Sequence, residues 1–191
     1  MPWTPPLRGL QTVFGGGSVS GTLINTGEQQ VSSGGSAVDT TIEGGLQTGF
    51  RWRKCLRVSL INTGEQQVSR SGSAVGTTIN GGLQTVFGGG SVSGTLINTG
   101  EQQVSSGGSA VDTTIEGGLQ TVFGGGSVSG LSLITGEQRV SSGGSAVDTT
   151  INNGGTMSIA AGGSGTGIIQ NNGGAIRANT SGHPEWNERK W

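Results

Sequence analysis

The 191-residue chain contains one cysteine, one histidine and no tyrosine, and aromatic residues make up only 4% of it. A single thiol cannot close an internal disulfide or build a cysteine-based zinc site, and the sole histidine, His183, lies in the tail, remote in sequence from Cys55. Charge is scarce too, at 11% of residues, and sums to −1, so no global field favours nucleic acid or an anionic membrane as partner. No run of about 18 apolar residues occurs. The opening MPWTPPLRG has neither a basic nor an apolar region, so the sequence as written is expected to carry no export signal and no membrane anchor. With 30% hydrophobic residues and 41 glycines, the composition looks too lean for a globular core and raises disorder as the alternative.

Repetition argues against disorder. The 36 residues from Leu10 to Gly45, LQTVFGGGSVSGTLINTGEQQVSSGGSAVDTTIEGG, recur letter for letter from Leu83 to Gly118, and imperfectly from Leu46 to Gly82 and from Leu119 to Gly155. Each unit splits into halves of 18 or 19 residues with one pattern, x-Q-x-V-x-x-G-G-S-[AV]-x-x-T-x-I-x-x-G, and nine such turns run from Leu10 to Gly174. Within a turn, glutamine and valine sit two apart, as do threonine and isoleucine, which is the alternation of strands; glycines fall between them. Two or three short strands per turn follow.

The valine column is Val13, Val31, Val68, Val86, Val104, Val122, Val140 and Ile159; the isoleucine column is Ile24, Ile42, Ile61, Ile79, Ile97, Ile115, Leu133 and Ile151. Such columns arise if successive turns stack as parallel strands about 4.8 Å apart, each apolar residue over its copy in the next turn. The expected fold is therefore all-β, a parallel β-helix (β-solenoid) of about nine turns, on the order of 45 Å long. A thin rod needs few apolar residues per turn, which accounts for the composition. The glutamine column (Gln11, Gln29, Gln47, Gln66, Gln84, Gln102, Gln120, Gln138) has two readings: an inward amide ladder, or a polar outer face. Sharing a face with valine favours the inward one, without deciding it.

One stretch breaks the pattern. Residues 49–58, GFRWRKCLRV, bring charge, tryptophan and the only cysteine into the third turn. Aligned with its intact copies, Thr48 to Arg57 lies opposite TVFGGGSVSG, and one inserted base, in a permissible choice of codons, converts the second string into the first. The N-terminal segment 1–9 can likewise be produced from SAVDTTIEGG read out of frame, and the tail 179–191 more loosely so. All four tryptophans, all four prolines, Cys55 and His183 fall in these three segments. The expected organisation is an off-frame segment 1–9, a solenoid domain 10–178 with a disrupted turn at 49–58, and an off-frame tail 179–191.

Motifs for chemistry are weak against that background. Arg51, Trp52, Arg53, Lys54 and Arg57 resemble a nucleic-acid patch, but the frame shift explains them without a ligand. The glycine-rich strings lack the Gly-Lys-Ser/Thr of a phosphate loop, and Gly-Gly-Ser-Ala-Val-Asp does not match the calcium-binding nonapeptide. Catalysis on glycans needs paired carboxylates about 5 to 9.5 Å apart. Asp39, Asp112 and Asp148 share one column and Glu43 and Glu116 another, at alternate turns or sparser, so they read as solvated charge. The threonine column (Thr22, Thr40, Thr77, Thr95, Thr113, Thr149) lacks the paired rows of an ice-binding face. No catalytic, cofactor-binding or metal site is assigned, no cofactor is expected, and the chain is not expected to be an enzyme.

The repeated x-Q-x-V-x-x-G-G-S-A-x-x-T-x-I-x-x-G-G resembles the roughly 19-residue repeats in the passenger region of AIDA-type, self-associating autotransporter adhesins, over Leu10 to Ala178. The resemblance implies a right-handed β-helix displayed at the cell surface or outer membrane. Its expected partners are host or bacterial cell surfaces, including other passengers. It also implies that this chain is a fragment, from a decayed or mis-framed gene, cytoplasmic if expressed alone. A β-helix that binds or cleaves glycans is the alternative.

Overall fold

The computed structural model describes residues 6–50, 55–133, 135–179 and 184–186, and for residues 50, 55–59 and 184–186 the backbone alone. The chain is a β-solenoid in which a turn contributes three short parallel strands, or two where the second and third run together. In the sixth turn these are Glu101–Val104, Ser109–Val111 and Thr114–Ile115. The seventh repeats them as Leu119–Val122, Ser127–Ser129 and Ser132–Leu133, in register residue by residue. First strands stack into a 10-stranded parallel sheet; second and third strands form a 16-stranded sheet bent round a corner, joined where Ser36–Ile42, Cys55–Ile61 and Ser164–Gln170 run through it. Ten stacked first strands at about 4.8 Å give a rod of roughly 43 Å.

The core is a set of columns. Every isoleucine-column residue from Ile24 to Ile151 is fully buried, and the valine column is at most 4% exposed. A further inward column, from the second strands, alternates alanine and valine: Ala74, Val92, Ala110, Val128, Ala146. The sequence pattern carries it as the [AV] after serine. Each apolar side chain lies on its copy one turn away, so the rod holds together by nearest-neighbour burial rather than by one central core.

The corners explain two glycine positions and one aspartate column. The glycine that closes each turn lies so near the previous turn that a Cβ on Gly118 would meet Ile97 Cγ2 and the Gly100 carbonyl oxygen. The corner between second and third strands needs a left-handed residue, supplied by Gly94 (φ 62°), Asp112 (53°), Gly130 (65°) and Asp148 (52°) in successive turns. Aspartate is one of the few residues with a side chain that tolerates this conformation. Its carboxylate then leans over the next turn: a Cβ on Gly130 would fall close to Asp112 Oδ1 and one on Gly167 close to Asp148 Oδ1, and glycine follows both aspartates one turn on.

The disrupted third turn departs from the expected alignment. The gene-level comparison sets Cys55 opposite the apolar residue of the second strand. In the structure Cys55 pairs with Ser73, and Leu56 takes the register of Ala37 and Ala74. Phe50 still pairs with Ser32 at the regular spacing, so the extra residue lies between Phe50 and Cys55, outside the described residues. A strand cannot absorb a one-residue slip without turning its inward set outward, and the paired strands on either side keep their register. The basic and tryptophan residues 51–54 lie in that same segment. Ahead of the first repeat, Leu7 bridges to Ile24 and its carbonyl accepts the N–H groups of Asn25 and Gly27. In the tail, Pro184–Trp186 pairs with Ser164–Gln170.

Candidate binding surface

The glutamine column faces inward. Gln29, Gln47, Gln66, Gln84, Gln102, Gln120 and Gln138 are fully buried. Each donates Nε2 to the Oε1 of the glutamine one turn earlier, at 2.6–2.8 Å, in one unbroken direction. The hydroxyls of Thr77, Thr95 and Thr149 donate to the Oε1 of Gln66, Gln84 and Gln138 at 3.3–3.4 Å. The ladder stops at Met157, which occupies the next place in the stack. The glutamine column is thus paired inside the rod, as are Thr77, Thr95 and Thr149, while the buried hydroxyls of Thr40 and Thr113 have no partner among the described residues; an amide that stayed unpaired at such depth would cost about 1–3 kcal/mol. The buried threonine column cannot be a flat outer face of any kind.

What remains outside is a striped sheet. Up to the seventh turn, odd-numbered turns carry leucine and threonine at the outer positions and end in phenylalanine (Leu83, Thr85, Phe87; Leu119, Thr121, Phe123), with Thr121 itself buried; even-numbered turns carry glutamate, glutamine and serine (Glu101, Gln103, Ser105). The stripes repeat every two turns, about 9.6 Å. Leu10 and Phe14 are each 63% exposed and Phe123 39%. Along one edge of this sheet runs a groove of about 1420 Å³ that extends from Arg8 to Arg177, floored by the closing glycines and walled by alternating leucines and glutamates.

The glutamates on the stripes are held by their own strands. Glu28, Glu65 and Glu101 accept from Gln30, Gln67 and Gln103 at 2.7–3.0 Å. Where arginine replaces that glutamine, Arg139 makes a two-pronged pair with Glu137 at 2.8 and 3.0 Å. The hydrogen bond and charge of Glu137 hold the Arg139 guanidinium pKa above its ordinary value. The pair is solvent-exposed, so it orients the stripe more than it stabilises the fold.

The carboxylates weighed for catalysis have other work. Asp39, Asp112 and Asp148 are the left-handed corner residues. Glu43 belongs to an outer amide ladder: Asn62 donates to it at 2.9 Å, Asn80 to Asn62 at 3.0 Å and Asn98 to Asn80 at 2.8 Å. Glu116 stands one turn beyond Asn98, whose buried Oδ1 has no hydrogen-bond partner among the described residues. Among the described residues, no group of three or more His, Cys, Asp or Glu side chains is placed to hold a metal ion. Among them too, no helix is long and apolar enough to cross a membrane. The Cys55 side chain and His183 lie outside the described residues.

No protein-family model and no curated protein matches the chain. Among solved structures it is similar to the TibC-catalysed, hyper-glycosylated fragment of TibA, at 28% identity and a TM-score of 0.50, over 92% of this chain and 93% of that one. That neighbour is an autotransporter adhesin passenger. The chain shares its parallel β-solenoid fold.

Proposed function

We propose that the chain is a segment of a bacterial surface adhesin of the autotransporter type, a non-enzymatic rod whose striped face makes many weak contacts at once. The reading rests on one observation: a two-turn stripe of leucine, phenylalanine, glutamate and glutamine is repeated along the rod, as a multivalent surface requires. Likeness to the TibA fragment supports it. Its partners are host or bacterial cell surfaces, including further copies of the rod: when two such faces meet in phase, apolar stripes oppose apolar stripes about 9.6 Å apart. The AIDA-type repeat pattern, with its cell-surface and outer-membrane setting, belongs to the same proposal, as does the origin of residues 49–58 in a frame shift of a decayed gene.

The test is display. Fused between an export signal and a translocator barrel in a non-adhering strain, the chain should make cells settle or bind epithelial cells. A folded, protease-resistant rod on the surface that changes neither behaviour overturns the proposal. The neighbour's glycosylation suggests a second assay on the same strain: outward serines such as Ser18, Ser91 and Ser127 are the hydroxyls a glycosyltransferase would meet.

A further inference from the structure

Three Asn-Gly sequences occur in the chain, at Asn80, Asn153 and Asn172. Asparagine followed by glycine is chemically labile, because no Cβ shields the next backbone nitrogen from the side-chain carbonyl carbon. The fold treats the three differently. Asn80 is clamped in the outer ladder, donating to Asn62 at 3.0 Å and accepting from Asn98 at 2.8 Å, so its carboxamide cannot swing towards Gly81.

Asn153 and Asn172 occupy the same place in consecutive turns. Each is exposed, each is the second residue of a four-residue turn closed by a 3.0 Å hydrogen bond (Gly155 N–H to Asn152 O; Gly174 N–H to Asn171 O), and each precedes a left-handed glycine (Gly154 φ 89°, Gly173 φ 83°). They differ at the nucleophile. Gly154 N–H donates to the Gly173 carbonyl at 3.0 Å, while Gly173 N–H has no acceptor among the described residues. The Asn153 carboxamide also leans onto the next turn, with Oδ1 lying over Gly173 where a Cβ would stand.

We propose that Asn172 is a site of spontaneous backbone modification, selected by the fold over Asn80 and Asn153. The Gly173 nitrogen attacks Asn172 Cγ; a C–N bond forms, the Cγ–Nδ2 bond breaks, and ammonia leaves with the proton from Gly173. Water opens the resulting succinimide at either carbonyl and yields aspartate or isoaspartate at position 172. No electrons are transferred. The isoaspartyl product carries one extra main-chain atom in the turn that feeds Ala175–Ala178, the last strand of the 10-stranded sheet, and adds a negative charge there.

The experiment follows the three sites in the full chain at mildly alkaline pH, by peptide mass spectrometry and enzymatic isoaspartate labelling, beside a sample unfolded in urea. In the folded chain Asn172 should convert first, with Asn153 roughly two- to ten-fold slower, the factor one retained hydrogen bond imposes. In urea the three rates should converge. Equal or faster conversion of Asn153 or Asn80 in the folded chain overturns the proposal. So does an Asn172 that resists conversion while folded but reacts in urea, or one that leads by the same factor in both samples.

Discussion

Two neighbouring glutamines in one strand give the sharpest test of which face of the rod lies inside. Gln102 points inward and is fully buried; Gln103, the next residue of Glu101–Val104, points outward and is half-buried. Replacing Gln102 with leucine keeps the volume roughly constant and removes two ladder bonds of 2.6 Å, to Gln84 and from Gln120. Gln84 Oε1 keeps its contact from Thr95 at 3.4 Å, but Gln120 Nε2 becomes a buried donor with no acceptor. One such orphan costs about 1–3 kcal/mol. For a chain of this size that corresponds to a drop in melting temperature of about 2–12 °C. Gln103→Leu removes only the outward 3.0 Å bond to Glu101 and should shift stability by less than about 0.5 kcal/mol. The two variants can be compared by urea midpoint and by thermal melting followed in the far ultraviolet. Equal losses, or a larger loss for Gln103→Leu, would refute the inward amide ladder and with it the register of the 10-stranded sheet.

Asp112→Ala should cost about 1–2 kcal/mol while Asp112→Gly is close to neutral, because the corner is left-handed at φ 53°; matched urea titrations read the difference, and equal costs would count against that corner. Glu116→Asn should extend the outer amide ladder by giving the buried Asn98 Oδ1 a donor, and stabilise the rod by about 1 kcal/mol in the same titration. Deleting Leu83 to Gly118, one intact double turn, should shorten the rod by about 9.6 Å in X-ray scattering with the extended-chain spectrum preserved.

The two columns of branched apolar residues were legible because stacking demands a constant period: valine and isoleucine return at intervals of 18 or 19 residues only if each sits over its copy. The glutamine face was less legible. Sharing a face with valine favours the inward reading, but the polarity of the side chain argues against it until the hydrogen bonds to the copies one turn away are counted. The aspartates at 39, 112 and 148 read as solvated charge in the sequence, because a backbone angle is invisible there; their role is conformational. The two-turn period of the outer stripe is present in the 36-residue repeat, but its exposure follows from which side of a four-residue strand meets the core.

By itself the sequence determined that this protein is a stack: identical turns can bury their few apolar residues only against one another, so repetition forces a rod. The tertiary structure alone decided that the glutamine amides lie inside, where the inserted residue of the third turn goes, and which Asn-Gly nitrogen lacks an acceptor among the described residues. Those outcomes depend on hydrogen-bond partners one turn away, contributed by residues distant in the chain, and no local pattern encodes them.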